Sequence, residues 1–282
     1  MKPIIFHDFT DSQNVNLQDR KWFFQQYFKN FETEEHFQKS IAAIEVTPEK
    51  NLTRQCIEVL RENISSLKNA LNDLGLDKEF PEVVFMSGGG SWDGHGMLVD
   101  SRAIVFFDMQ RMVRWIATAN FAIKTHIAHE IIHAIHYRRS PAFYLGNYST
   151  VDDEIIKRMF AEGLGTHLSS KITGVPLHRA LWLGLLDDST SLQWCERGDQ
   201  MRLQVAESFR RVLETGTDPD RLAETLFTVP GITQGELLRG RFGYYFGAKI
   251  VESLQTGRSD FHLLEMPFNE VKQKMLDYFF GA

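Results

Sequence analysis

Residues 129–133 read His129-Glu130-Ile131-Ile132-His133, an H-E-x-x-H sequence. Around it, Ile123, Ile127, Ile131 and Ile135 recur every fourth position, which is the spacing of one helix face. The pattern predicts a long helix from about Arg114 to Tyr137, ending before Pro141. On such a helix, side chains four apart diverge by only about 40° and lie one turn apart. Both imidazoles can then reach one metal ion at the roughly 2.0–2.1 Å that zinc requires. Glu130 falls beside them, placed to take a proton from water as it attacks a carbonyl. The isoleucine ridge points roughly away from the two histidines. His126 and His136 extend the histidine face by one turn each way and read as polar groups at the rim of a cleft.

A catalytic zinc takes three protein ligands and keeps one position open. The extended pattern H-E-x-x-H-x-x-G-x-x-H is not met, because position 136 is His and position 139 is Arg. The third ligand must come from elsewhere. The next helix, about Val151 to Lys171, offers Asp152, Asp153, Glu154, Glu162 and His167. The first three start that helix, where acids serve as caps and dipole partners. They could also hold the free amine of an aminopeptidase substrate. Glu162 sits mid-helix in Ala161-Glu162-Gly163-Leu164-Gly165, and the glycines let another helix approach closely. A carboxylate there has a reason to face inward.

H-E-x-x-H followed one helix later by a glutamate resembles the gluzincin pattern of thermolysin-like and aminopeptidase-type zinc enzymes. The triplet Glu162-Gly163-Leu164 resembles more closely the E-G-L-A element of a poorly characterised family of bacterial predicted zinc-dependent proteases. Gly243-Tyr244-Tyr245-Phe246-Gly247 resembles the G-Y-x-x-G element of that family. The resemblance spans roughly residues 80–256 and leaves the N-terminal helices outside it. It implies Glu162 as the third zinc ligand. The gap from His133 is longer than in the best-known gluzincins, so Glu154 stays as an alternative. It also implies Tyr244 as a donor to the oxyanion formed during peptide hydrolysis. Adjacent helical residues diverge by about 100°, so only one of Tyr244 and Tyr245 can face the metal, and Arg241 is a further candidate.

Outward from these motifs, Leu17 to Phe28 reads as an amphipathic helix. Thr47-Pro48-Glu49 reads as the start of another, running to about Leu74 with Gly75 as its stop. Val83–Met86 and Ala103–Phe107 read as strands, joined by an irregular excursion over Gly88–Gly96. The stretch from Met97 to Phe107 resembles the edge strand that binds an extended peptide beside a zincin helix. Asp93 and His95 are candidates to contact such a substrate. Further helices are expected at 177–184, 199–215, 219–227, 240–256 and 268–279. The fold class is α+β, mostly α, with a zincin-like catalytic core holding a small sheet and the H-E-x-x-H helix. A helical N-terminal region, 1–78, precedes a catalytic domain, 79–282, or merges with it.

The chain has 282 residues, 43% hydrophobic and 24% charged, enough for a sizeable core. A net charge of −6 argues against a nucleic-acid partner. Cys56 and Cys195 are too few to form a zinc site alone, and scattered thiols suit a reduced, cytoplasmic chain. No apolar run suits a signal peptide or a membrane span, so no membrane partner is expected. The whole predicts one Zn2+ per chain, a peptide or protein substrate, and Glu130 as the general base. The alternatives are a zinc hydrolase of another amide or ester, and a non-catalytic metal-binding protein.

Overall fold

Val83, Val84 and Phe85, like Ile104, Val105 and Phe106, are β-branched or aromatic residues in unbroken runs, the pattern of strands buried on both faces. In the computed structural model these runs are the two inner strands of one sheet. The structure describes residues 3–10, 17–31, 50–87, 93–118, 120–144, 150–228 and 240–281. They fall into two compact units, Met1–Arg138 and Arg139–Ala282. The architecture is α+β and mostly helical, with a single four-stranded sheet among the described residues.

The first unit holds the sheet. Its strands are β1 (Phe6–Asp8), β2 (Glu82–Met86), β3 (Gly94–Val99) and β4 (Arg102–Asp108), in the order β1-β2-β4-β3. β1 and β4 flank β2 in parallel, and β3 lies antiparallel to β4 at the edge. The expected strands at 83–86 and 103–107 are β2 and β4. The expected excursion over Gly88–Gly96 gives way to a strand at Gly94. The stretch from Met97 to Phe107 is a hairpin that turns at Asp100 (φ 47°) and Ser101 (φ 63°). Two central residues at positive φ match the twist of a two-residue hairpin. Gly88–Trp92 and the Thr47-Pro48-Glu49 helix start lie outside the described residues.

Alternation along the strands divides the sheet into two faces. Val84, Met86, Met97, Val99, Ile104 and Phe106 form one core with Phe9 and with Phe23, Phe24 and Tyr27 of helix α1 (Leu17–Phe31). Helix α2 (Lys50–Asp73) serves the other face, where its Arg61 lies 5.8 Å from the centre of the Phe85 ring. Gly75, at φ 73°, ends α2 as expected. The one long helix expected from Arg114 is two, α3 (Met109–Ile116) and α4 (Ile123–Arg139). Asn120, in left-handed backbone at φ 74°, separates them. Lys124 of α4 donates from Nζ to Ser66 Oγ of α2 at 2.9 Å.

The second unit is helical: α5 (Val151–Thr173), α6 (Leu177–Ala180), α7 (Asp188–Thr215), α8 (Pro219–Phe227), α9 (Phe242–Gln255), α10 (Asp260–Leu264) and α11 (Phe268–Phe280). Thr150 caps α5 through its hydroxyl, which accepts from the Asp153 N–H, and Gly174 (φ 69°) ends it. α6 is shorter than expected because Leu183 and Gly184 are both left-handed. α7 begins well before residue 199, at a cap in which Asp187 Oδ1 accepts from Thr190 N.

The central crossing joins α5 to α9. A Cβ on Gly163 would lie 2.1 Å from the Gly247 carbonyl carbon, and one on Gly247 would lie 2.0 Å from the Met159 carbonyl oxygen. Only paired glycines permit that approach. Aromatic rings fill the space around it: Phe143 against Phe160 at 5.3 Å, Trp194 stacked on Phe242 at 5.6 Å and Phe209 against Phe279 at 5.8 Å.

Candidate metal centre

α4 is enclosed along most of its length, with every residue from Thr125 to Tyr137 buried. Its histidines therefore sit inside protein rather than along a wet face. His129 and His133, one turn apart, keep 6% and 5% of their surface. Their rings meet nearly at right angles, 87°, and their Nε2 atoms lie 2.9 Å apart. Two nitrogens bound to one tetrahedral zinc would be separated by about 3.3 Å, so the pair is already close to a chelating arrangement. Glu162, carried by α5, adds a carboxylate. One ligand atom from each of His129, His133 and Glu162 lies within 4.8 Å of the other two. Among the described residues this is the one such group able to hold a metal ion. Glu154 lies outside it, exposed in the first turn of α5.

Glu130 is 7% exposed, and its position is set by strand β3. Gly96 N–H donates to Glu130 Oε2 at 2.9 Å. Helix and strand touch backbone to backbone here: a Cβ at position 96 would come within 2.3 Å of the Glu130 carbonyl oxygen and 2.7 Å of the Ala134 nitrogen. A buried carboxylate held by a backbone donor is fixed in place through a charge-assisted bond. On the other oxygen, His126 Nδ1 stands 4.0 Å from Oε1. The arrangement offers a metal-ligand set with a fixed proton acceptor one residue along the same helix.

The chain matches no family model, no curated protein and no solved structure.

His126 and His136 are not at a rim. They are 1% and 0% exposed, because α4 is central rather than half-exposed. His126 lies among Phe107, Trp115 and Phe121, with ring centres 5.8–6.1 Å away. Burial, with His133 adding to it, pushes His136 down to about 3, so its ring stays neutral. His133 also stacks on Tyr137 at 5.6 Å and 8°.

The Tyr244-Tyr245 pair divides as helical geometry requires. Tyr245 turns into the core, where its hydroxyl donates to Asp199 Oδ1 at 2.6 Å and its ring lies against Gly198. Burial and that acceptor raise its phenol well above the ordinary range. Tyr244 is half-buried, and the Arg241 guanidinium carbon lies 4.0 Å from its ring centre.

Two of the three acids at the start of α5 are paired. Lys272 Nζ reaches Asp152 at 3.0 Å and Asp153 at 2.7 Å. Burial works against the Asp152 charge, yet Thr150 and Lys272 together hold its carboxyl below the usual range. These two aspartates brace α11 against α5. His167 bonds Gln255 Oε1 at 2.7 Å. His95 meets the Tyr27 hydroxyl at 3.1 Å, and Asp93 accepts from the Gly94 N–H. Gly96 is the functional position that motif reading passed over. Its signal was a glycine repeated at Gly94 and Gly96, the alternation of a strand pressed against another backbone.

Proposed function

We propose that the chain is a zinc-dependent metallopeptidase of gluzincin type, with one Zn2+ held by His129, His133 and Glu162. The observation that carries this reading is the buried His-His-Glu group with Glu130 fixed beside it. Two imidazoles and one carboxylate are a catalytic zinc's ligand set, with a fourth position left for water or substrate. An antiparallel edge strand lying against the H-E-x-x-H helix further supports a zincin-like core. When bound, the zinc supplies a Lewis acid that polarises a carbonyl and makes water more acidic.

The chain's residues do the rest. Glu130 takes the proton of the attacking water and passes it to the leaving amine. The Gly96 N–H holds its Oε2 in place for that transfer. β3 offers its outer edge to an extended peptide, which would bind by adding a strand. Tyr244 donates to the carbonyl oxygen as negative charge develops there. Tyr245 is tied to Asp199 and serves the core.

The test is a screen of capped peptides with the zinc-loaded wild type and Glu130→Gln. The wild type should cleave some of them, and the variant should keep its zinc and lose about a thousandfold in rate. Equal rates would remove Glu130 from the chemistry. A zinc-loaded wild type that cleaves no peptide, but does cleave another amide or an ester, would correct the substrate class.

A further inference from the structure

We propose that Arg241 is a carboxylate receptor, so that the ligands of this protein are peptides bearing a free carboxylate, at the C-terminus or on an acidic side chain. Calling that ligand a substrate rests on the peptidase reading; the binding itself does not.

Arg241 is held in left-handed backbone, φ 65°, a conformation that disfavours residues other than glycine. The chain fixes it there from both sides. Trp194 Nε1 donates to the Gly240 carbonyl at 3.1 Å, and Tyr244 N–H donates to the Arg241 carbonyl at 3.1 Å. The guanidinium carbon lies 4.0 Å from the Tyr244 ring centre and 5.4 Å from that of Trp182. Leu183, next to Trp182, is left-handed too, at φ 53°.

Arg102, Arg139 and Arg258 each meet an acid, at Glu82, Glu265 and Glu270. Among the described residues Arg241 has no acidic partner, and its buried Nε finds no acceptor. Trp182, only 3% exposed, likewise has an indole N–H without an acceptor. A buried donor left unmatched is costly, and a charged one more so. Two strained residues and two unanswered donors in one cluster mark a place where a ligand supplies the acceptor. Stacking engages the flat faces of a guanidinium and leaves its forked edge for a carboxylate. The cluster includes Tyr244, and α9, which carries it, crosses α5 beside Glu162.

Calorimetry on the zinc-loaded Glu130→Gln chain, which does not turn over, tests this. Three probes are titrated: acetyl-tetraalanine with a free carboxylate, its amide, and an amidated acetyl peptide with one glutamate. Either or both carboxylate peptides should bind at least about tenfold more tightly than the neutral amide, and which one does so names the source. Adding Arg241→Gly should abolish that difference while Tm holds or rises, because glycine suits the backbone. A structural role would instead lower Tm and weaken all three probes alike. Three equal affinities in the Glu130→Gln chain would overturn the proposal. So would an Arg241→Gly variant of the active chain that lowers kcat on carboxylate and amide substrates equally, which is the signature of an oxyanion donor. Glutarate, titrated alone, separates the two readings. Binding that is lost in Arg241→Gly upholds the receptor even if no peptide is cleaved.

Discussion

At Gly96 a strand lies against α4, and at Gly163 and Gly247 one helix lies against another. Both contacts need a bare backbone, since an added Cβ would fall 2.0–2.3 Å from main-chain atoms. They differ in what they accomplish. The Gly96 contact is polar and aims at one atom, because its N–H holds Glu130 Oε2. The Gly163–Gly247 contact is steric and sets only the separation of α5 and α9, the helices that carry Glu162 and Tyr244. In the proposed mechanism the first kind of contact would govern chemistry, and the second kind governs assembly. Changes at the first should act mainly on rate, and changes at the second mainly on folding.

Glu130→Gln should have the largest effect, a loss of about 4 kcal/mol of transition-state stabilisation. Its amide oxygen can still accept from Gly96, so the thermal midpoint and zinc content should hold. A fall in both would show that the Gly96 contact is structural after all. Gly163→Ala comes next, at about 3 kcal/mol of stability lost in denaturant titration, because the methyl group meets backbone that cannot move aside. Gly96→Ala should cost somewhat less, about 2 kcal/mol, but it should also slow hydrolysis as the strand backs away from Glu130. If Gly163→Ala were tolerated and Gly96→Ala unfolded the chain, the contrast would be reversed.

Acid sharpens the same comparison through α4. The folded pKa of His136 is depressed to about 3, below the roughly 6.5 of an unfolded histidine. The unfolded chain therefore takes up the proton first. This contribution to stability is complete above pH 6.5 and is lost as pH falls toward 3, at about 1.36 kcal/mol per unit. Between pH 6.5 and 5 the loss is about 2 kcal/mol, and His136→Gln should flatten that slope in denaturant midpoints taken at both values. The smallest effect belongs to Tyr245→Phe, which removes the bond to Asp199 and should cost about 1 kcal/mol without touching metal content.

The helices of the second unit were largely legible because caps and periodicity are local signals. Glu162 could be singled out because Gly163 announced a close neighbour, and Gly247 is that neighbour. What sequence could not show was set by distant contacts. β3 contains Gly94 and Gly96, which read as turn residues, and becomes a strand by pairing with β4 where α4 approaches its backbone. β1 is three residues long and gains its identity only by pairing with β2. His126 and His136 read as rim residues because a regular isoleucine ridge implies one exposed side, whereas α4 is enclosed on all sides. The acids at 152–154 offered no hint that Lys272, far along the chain, answers two of them. In the described residues no helix is long and apolar enough to cross a membrane, and Cys56 and Cys195 are both free thiols.

The most direct measurement is elemental analysis of purified wild type, His129→Ala and Glu162→Ala, each after incubation with zinc and desalting. About one zinc per chain in the wild type, lost from both variants, is the result the three-ligand site predicts. A wild type that holds no zinc, or a Glu162→Ala chain that holds it as tightly as the wild type, would contradict it.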